Sequence, residues 1–262
     1  MKYTPYRKVI KDYKKILIVG YGFVGKAVGN ALEKHHQLIK IDPIHFPDVS
    51  IEDHLDADCA ILSLPTPTVD GKCDDSIIRE VVNQLITGNP NIKILLKSTI
   101  PPHQLEKLPE NVTYNPEFLR ADYAKEDFLN QKTFIIGGND FDYWCSIFKF
   151  MTNVKFKETD RTTASMVKYM HNTWLAMKVA YFHEVYDLIG DKYNHEQLIE
   201  ILSQFENVGP SHMSVPNADG SLGFGGHCFP KDTEAFLEYT NSEILQAIIE
   251  KNKQLLSKML DI

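Results

Sequence analysis

Two stretches of this 262-residue chain carry residue types that could do chemistry. Gly223 to Asp232 reads GFGGHCFPKD, which sets Cys228 at the end of a glycine-rich loop, directly before a helix start. Pro230 suits a first helical turn, and Asp232 is a good capping type. A helix N-terminus and Lys231 would both favour the thiolate of Cys228, the nucleophilic form of the side chain. Near the other end, Gly20, Gly22 and Gly25 form GxGxxG between an apolar run and the helically spaced Val28, Ala31 and Leu32. The first glycine allows a tight turn, the second a close approach of backbone to a pyrophosphate, and the third close packing of helix on strand. The phosphates would rest on the N–H groups of the helix start. Asp42 ends the next apolar run, 22 residues after Gly20. A carboxylate there holds ribose hydroxyls and repels a 2′-phosphate, which selects NAD over NADP. A dinucleotide site and an activated cysteine together equip a dehydrogenase that passes through a covalent thiohemiacetal. Two blander readings stand beside this one: a convenient tight turn, and a buried structural cysteine.

Further polar groups fall where such a site would need them. Residues 162–189 contain no Pro or Gly and read as one long helix, apolar nearly all round through Met166, Val167, Met170, Trp174, Leu175, Val179, Phe182 and Val185. Such a helix should be buried, against the sheet domain or another subunit. Lys168 and Asn172 lie four apart on it and share a face. They either point into an active site or form a solvated stripe along one edge. NPEF (residues 115–118) follows a strand run and carries Glu117; KSTIPP (residues 97–102) follows another and presents Ser98 and Thr99. Ligands of open α/β sheets bind beyond the carboxyl ends of the strands, so these two turns and the glycine loop would surround one crevice; each alone could be a capped turn. Of ten histidines, His227 beside Cys228 is the one in a functional setting. Cys59 sits in a strand run and reads as core, while Cys73 and Cys145 have no activating neighbours.

The elements that must position these groups follow from periodicity. Strands are expected at 14–20, 36–42, 59–64, 93–99, 112–115 and 132–138, with helices following the glycine loop and at 77–86. Alternation of apolar strands with helices gives an α/β class: a Rossmann-like parallel sheet covered on both faces, followed by a helical domain with a long central helix. The expected domains are 1–157, NAD-binding, and 158–262, helical, dimer-forming and catalytic. In the second, helices are expected at 162–189, 198–205, 232–239 and 242–260. The irregular segment 207–227 between them is long enough to be functional. An apolar fraction of 43% with 24% charged residues is that of a globular protein. No apolar run approaches the ~18 residues of a membrane span. The basic start MKYTPYRKVIKDYKK has no apolar core and does not read as a secretory signal. Four scattered cysteines without CxxC spacing argue against a disulfide framework or a metal site and for a reducing, cytoplasmic setting. A net charge of −7 argues against nucleic acid as partner.

Taken together, GYGFVG, LPTPT (64–68), STIPP, NPEFLR, SMVKYMHNTWLA (165–176) and GFGGHCFPKD resemble the nucleotide-sugar dehydrogenase family. The resemblance implies a four-electron oxidation of a sugar primary alcohol to a carboxylate with two NAD, as of UDP-glucose to UDP-glucuronate, in nucleotide-sugar and polysaccharide metabolism. It implies Cys228 as nucleophile, Lys168 and Asn172 as oxyanion donors, Asp232 and Thr99 as groups that place water and its proton path, and Glu117 in thioester hydrolysis. It places cofactor contacts at Gly20, Gly22, Phe23, Val24, Gly25, Asp42, Pro65, Thr66, Thr99 and Lys231. Substrate contacts fall at Glu117, Phe118, Leu119, Arg120, Lys168, Asn172, Gly225 and Cys228. A homodimer packed through 162–189 is implied as well. Two departures stand out. Many members carry a second acidic residue four places after the glutamate, where this chain has Ala121, followed by Asp122. The family's third, UDP-binding domain is also expected to be absent, which implies a weak KM for UDP-sugars and looser choice of base. The alternatives are a hydroxyl dehydrogenase of a smaller substrate, or an inactive NAD-binding subunit that needs a partner.

Overall fold

A computed structural model describes residues 13–258. Most of the basic N-terminal stretch (1–12) and the last residues of the expected final helix (259–262) lie outside the described residues. The chain divides into two compact units. Residues through Thr66 together with Asp74–Met166 form the first; Pro67–Cys73 and residues from Val167 onward form the second.

In chain order the strands are β1 (Lys15–Val19), β2 (Gln37–Ile41), β3 (Cys59–Leu62), β4 (Thr68–Val69), β5 (Lys72–Cys73), β6 (Lys93–Leu96), β7 (Val112–Tyr114), β8 (Thr133–Gly137) and β9 (Lys155–Thr159). The helices are α1 (Phe23–Leu32), α2 (Ser76–Gly88), α3 (Pro102–Leu105), α4 (Ala124–Asn130), α5 (Phe141–Ile147), α6 (Arg161–Ile189), α7 (His195–Ser203), α8 (Phe229–Thr240) and α9 (Glu243–Lys258).

The first unit is built on one sheet with strand order β2-β1-β3-β6-β7-β8-β9. Its central strands carry continuous buried apolar runs, ILIV after Lys15 in β1 and CAIL in β3, as strands covered on both faces do. The expected parallel sheet is mixed: β8 runs antiparallel to β7, paired at Tyr114 and Gly137, and β9 runs parallel to β8. Strand β9, KFKET, went unforeseen. Its charged residues are exposed, as befits a sheet edge, and leave little apolar signal. The strand expected over 93–99 stops at Leu96, and Pro101 and Pro102 begin α3. Pro lacks the N–H a ladder needs, so neither proline could have carried the strand further. Beyond the strand end, Leu64 N–H donates to Ser98 Oγ (2.8 Å) and Thr66 Oγ1 donates to the carbonyl of Thr99 (3.0 Å). These bonds tie the loops after β3 and β6 together. On one face of the sheet Phe128, Phe134, Phe148 and Trp144 fill the core, with ring centroids of Phe134 and Phe148 4.6 Å apart.

In the second unit, β4 and β5 form an antiparallel hairpin. Its turn residues Asp70 and Gly71 have φ of 49° and 75°, the left-handed pair that a tight hairpin turn wants. Lys72 of the hairpin pairs with Glu238 of α8 at 3.7 Å. Helix α6 runs 29 residues, close to the expected span. Asp160 starts it, accepting the Thr163 N–H at 2.7 Å and the hydroxyls of Thr162 and Thr163 at 2.6 Å. These bonds, led by that from Thr162, hold the Asp160 carboxyl well below the usual carboxylate range. Within one chain α6 is buried along only part of its circumference. Met170, Trp174 and Tyr181 are more than half exposed and Leu188 is 78% exposed, all on one stripe with Val167. The opposite face packs Ala176, Val179 and Ala180 against Phe224 and Ile248. Helix α7 starts at His195, earlier than expected, because Asn194 caps it by accepting the Gln197 N–H at 3.1 Å. Among the described residues no helix is long and apolar enough to cross a membrane, and no three His, Cys, Asp or Glu side chains are grouped to hold a metal ion.

Candidate active site

The sheet order places β2 on one side of β1 and β3 on the other, so the chain reverses its winding at β1. The crevice beyond the carboxyl ends of β1 and β3 is therefore the topological switch point, where such folds bind nucleotides. Gly20, Gly22 and Gly25 line it. Gly20 has φ of 86°, and a Cβ on it would run into the carbonyl of Ser63; one on Gly25 would run into the carbonyl of Gly20. Gly22 faces open space, is exposed and stands at the N-cap of α1. No side chain caps α1 and no acidic residue sits in its first turn. The N–H groups around Phe23 and Val24 thus remain available to an anion, and a pyrophosphate fits this cradle.

Asp42 follows β2 directly and is tightly held. Its Oδ2 accepts the Tyr21 N–H (2.7 Å), while Oδ1 accepts the N–H groups of Ile44 (2.9 Å) and His45 (3.0 Å) and lies 2.9 Å from His45 Nδ1. Burial works to raise its pKa, but these donors, Tyr21 first, outweigh burial and hold the carboxyl well below the usual range. The carboxylate is ionised and fixed, and Oδ2, with one donor, keeps acceptor capacity for a ribose hydroxyl. On the far side, Lys26 Nζ lies 2.9 Å from His45 Nε2.

The strand-end loops carry the remaining first-unit residues. Pro65 is exposed; Thr66 and Thr99 are buried and bonded as described. Glu117 is 8% exposed, and its Oε2 accepts the Leu119 N–H at 2.7 Å. Phe118 and Leu119 are half-buried. Arg120 is exposed, and its guanidinium is engaged by Asp127 through Nε (3.0 Å) and Nη2 (2.7 Å). A phosphate would have to compete with that pair. Ala121 and Asp122 lie exposed in a short 3-10 turn.

In the second unit Cys228 is the N-cap of α8, half-buried, with its carbonyl accepting the Asp232 N–H at 2.8 Å. The sequence reading of Asp232 as a cap is corrected. The helix begins at Phe229, so Asp232 lies inside the first turn and its carboxylate turns elsewhere. Oδ2 accepts from Asn172 Nδ2 at 2.7 Å and Oδ1 pairs with Lys231 Nζ at 2.6 Å. Lys231, expected beside the thiol, thus bonds the carboxylate. Asn172 and Lys168 are 4% and 2% exposed, which removes the solvated-stripe alternative. Asn172 Oδ1 lies 2.9 Å from His171 Nδ1, an arrangement that fixes the amide with one N–H on Asp232 and a second to spare. Gly225, Gly226 and His227 are exposed. The other cysteines are poor nucleophiles: burial pushes the Cys59 thiol up to about 12 and raises that of Cys145, and Cys73 is buried. The sequence reading missed two buried contacts of this unit. Tyr169 stacks on Phe236 with centroids 5.4 Å apart, and Asn252 of α9 bonds the glycine loop. An asparagine on the apolar stripe of α9 was the available signal for the second.

Fold and glycine loop define a dinucleotide-binding protein of the dehydrogenase type, with a helical unit that carries a cysteine at a helix start. The chain belongs to the UDP-glucose/GDP-mannose dehydrogenase family: that family's NAD binding domain matches residues 46–149 and its central domain residues 162–254. It is 30% identical over 276 residues to the UDP-glucose 6-dehydrogenase of Rickettsia conorii, covering 97% of this chain and 61% of that protein. The chain thus spans about three fifths of the length of that relative. Among solved structures, a UDP-glucose dehydrogenase from Pyrobaculum islandicum superposes with a TM-score of 0.80 at 22% identity, over 98% of this chain and 73% of the other. The GDP-mannose dehydrogenase of Pseudomonas aeruginosa does so with 0.64 at 21% identity, over 95% and 70%.

Proposed function

We propose that this chain oxidises the primary alcohol of a nucleotide sugar, UDP-glucose before others, to the carboxylate with two NAD. The carrying observation is Cys228 at the start of α8, in the unit that also buries Lys168, Asn172 and Asp232. NAD, when bound, takes up a hydride from the sugar C6 in each of two rounds. The first oxidation also releases the hydroxyl proton, to solvent, and leaves an aldehyde. Cys228 Sγ forms a bond to its carbon, and the carbonyl pair becomes an oxyanion that the Lys168 ammonium and the spare Asn172 N–H stabilise before it takes a proton. The second oxidation converts this thiohemiacetal into a thioester. Water adds to the acyl carbon, the C–S bond breaks, and the sulfur leaves as thiolate. In this reading Asp232 and Thr99 place that water and its proton path, and Glu117 serves the hydrolysis. Gly20, Gly22, Phe23, Val24, Gly25, Asp42, Pro65, Thr66, Thr99 and Lys231 hold the cofactor. Phe118, Leu119, Arg120 and Gly225 hold the sugar nucleotide.

The test is direct. Protein mixed with NAD and a limiting amount of UDP-glucose is expected to yield two NADH per sugar by absorbance, with NADP much slower because Asp42 is ionised. One NADH per sugar would remove the thioester step. A thermal shift with NAD and no NADH from any nucleotide sugar would favour the inactive binding subunit instead.

The reading includes a cytoplasmic homodimer. Its supports are four cysteines without CxxC spacing, none of them in a disulfide among the described residues, and the exposed apolar stripe of α6 from Val167 to Leu188. A second copy of this chain would cover that stripe. Trp174→Glu should convert the dimer to monomer in sedimentation, and a wild type that sediments as a monomer at micromolar concentration removes the idea.

A further inference from the structure

Helix α9 buries Leu245, Ile248, Asn252 and Leu255, a 3-4-3 spacing that makes one inward stripe. Asn252 is 5% exposed in an otherwise apolar row. A buried amide needs partners on both ends, since an unmet polar group costs its full desolvation. Here Oδ1 accepts the Phe224 N–H at 2.7 Å and Nδ2 donates to the Phe224 carbonyl at 2.8 Å. The side chain acts as a neighbouring strand would, meeting both backbone groups of one residue in a segment without regular structure. Gly223 lies against it. Its φ is 71°, and a Cβ there would overlap Asn252 Oδ1. On the other side, Asn217 Nδ2 donates to the Gly223 carbonyl at 2.6 Å. The Phe224 ring is buried among Ala176, Val179 and Ile248.

Beyond this anchor the chain has Gly225, Gly226 and His227, all exposed, and then Cys228. Glycines impose almost no conformational preference of their own. Four residues reach at most about 14 Å. The place of the thiol is therefore set by two fixed points, the α8 N-terminus on one side and Phe224 on the other.

We infer that Asn252 is a positioning residue for Cys228, holding the glycine loop so that the thiol meets the substrate carbon. It touches no reacting atom and acts through the backbone of Phe224. This rests on the reading of Cys228 as nucleophile. A misplacement of about 1 Å can cost about 100-fold in rate, so a loosened loop should be felt in kcat.

The experiment compares full-length wild type with Asn252→Ala by amide hydrogen exchange, turnover of UDP-glucose, and NAD affinity. Exchange across residues 222–228 is expected to speed up at least about 10-fold, and kcat to fall about 100-fold. NAD affinity should stay within about 2-fold, a split that general unfolding would not give. Asn217→Ala, in the irregular segment, should shift exchange and kcat in the same direction by less, and it carries the test if Asn252→Ala does not fold. Unchanged exchange in a folded variant overturns the inference, as does faster exchange with kcat intact. A wild type without turnover would sink the functional reading, and exchange alone would then decide whether Asn252 anchors the loop.

Discussion

Cys228→Ser stops net production of the carboxylate, lowering kcat by at least about 1,000-fold, the scale on which removal of a nucleophile acts. The serine hydroxyl has an ordinary pKa far above that of a thiol, so it adds to an aldehyde poorly. Any ester it did form would hydrolyse far more slowly than a thioester. On the proposed mechanism the first oxidation uses no bond to sulfur, so a single turnover of NADH and a bound aldehyde or sugar adduct are the expected residue of activity. Mass spectrometry of the protein after incubation with UDP-glucose and NAD would read that adduct, and NADH absorbance the stoichiometry. Cys145→Ala serves as control and should retain wild-type rates, because its thiol is raised by burial and stands in the first unit, on α5. Cys59 is unsuited to this control, since it is fully buried in β3 and its loss would leave a cavity. Wild-type turnover in Cys228→Ala eliminates the covalent route altogether.

What could be read from the sequence was what sterics and periodicity enforce. The runs ILIV of β1 and CAIL of β3 are buried, and nothing but apolar strand fits such a place. Gly20 and Gly25 were legible because a side chain at either would strike backbone. The missed elements are those whose residues answer to a partner remote in sequence. Strand β9 is polar because it is an edge, and its pairing with β8 sets it where hydropathy gives no sign. The cap of α8 went to Cys228 because the helix begins one turn earlier than a good capping residue suggested, and Asp232 was freed to meet Asn172, 60 residues away. Asn252 answers to Phe224, 28 residues earlier in the chain, which takes both ends of its amide. The exposure of the α6 stripe was illegible for a different reason. Composition says that Met170 and Trp174 want burial, and it does not say whether the same chain supplies the cover.

Lys168→Met and Asn172→Ala are each expected to lower kcat by about 100-fold or more while KM changes little. Both groups are buried, one helical turn apart on α6. On the proposed mechanism neither is needed to hold a neutral alcohol in the ground state, whereas both would meet a charge that appears only as sulfur adds to the carbonyl. An interaction made only in the transition state shows in kcat, and one made equally in both states shows in KM. Preorganised donors of this kind are worth about 3–4 kcal/mol each when removed singly. Asn172 carries a second consequence, because its amide donates to Asp232, whose other oxygen is held by Lys231. Asn172→Ala strips that donor from a carboxylate 1% exposed, so it should also slow the hydrolytic half of the reaction. Rapid-quench kinetics separate the two: thioester should accumulate in Asn172→Ala and be scarce in Lys168→Met. The double variant should fall short of the product of the single losses if both serve one oxyanion as proposed. A raised KM at constant kcat in either single variant would assign the group to substrate binding. Unchanged kinetics in both would leave Lys168 and Asn172 as structural residues and take the oxyanion from this unit's helix.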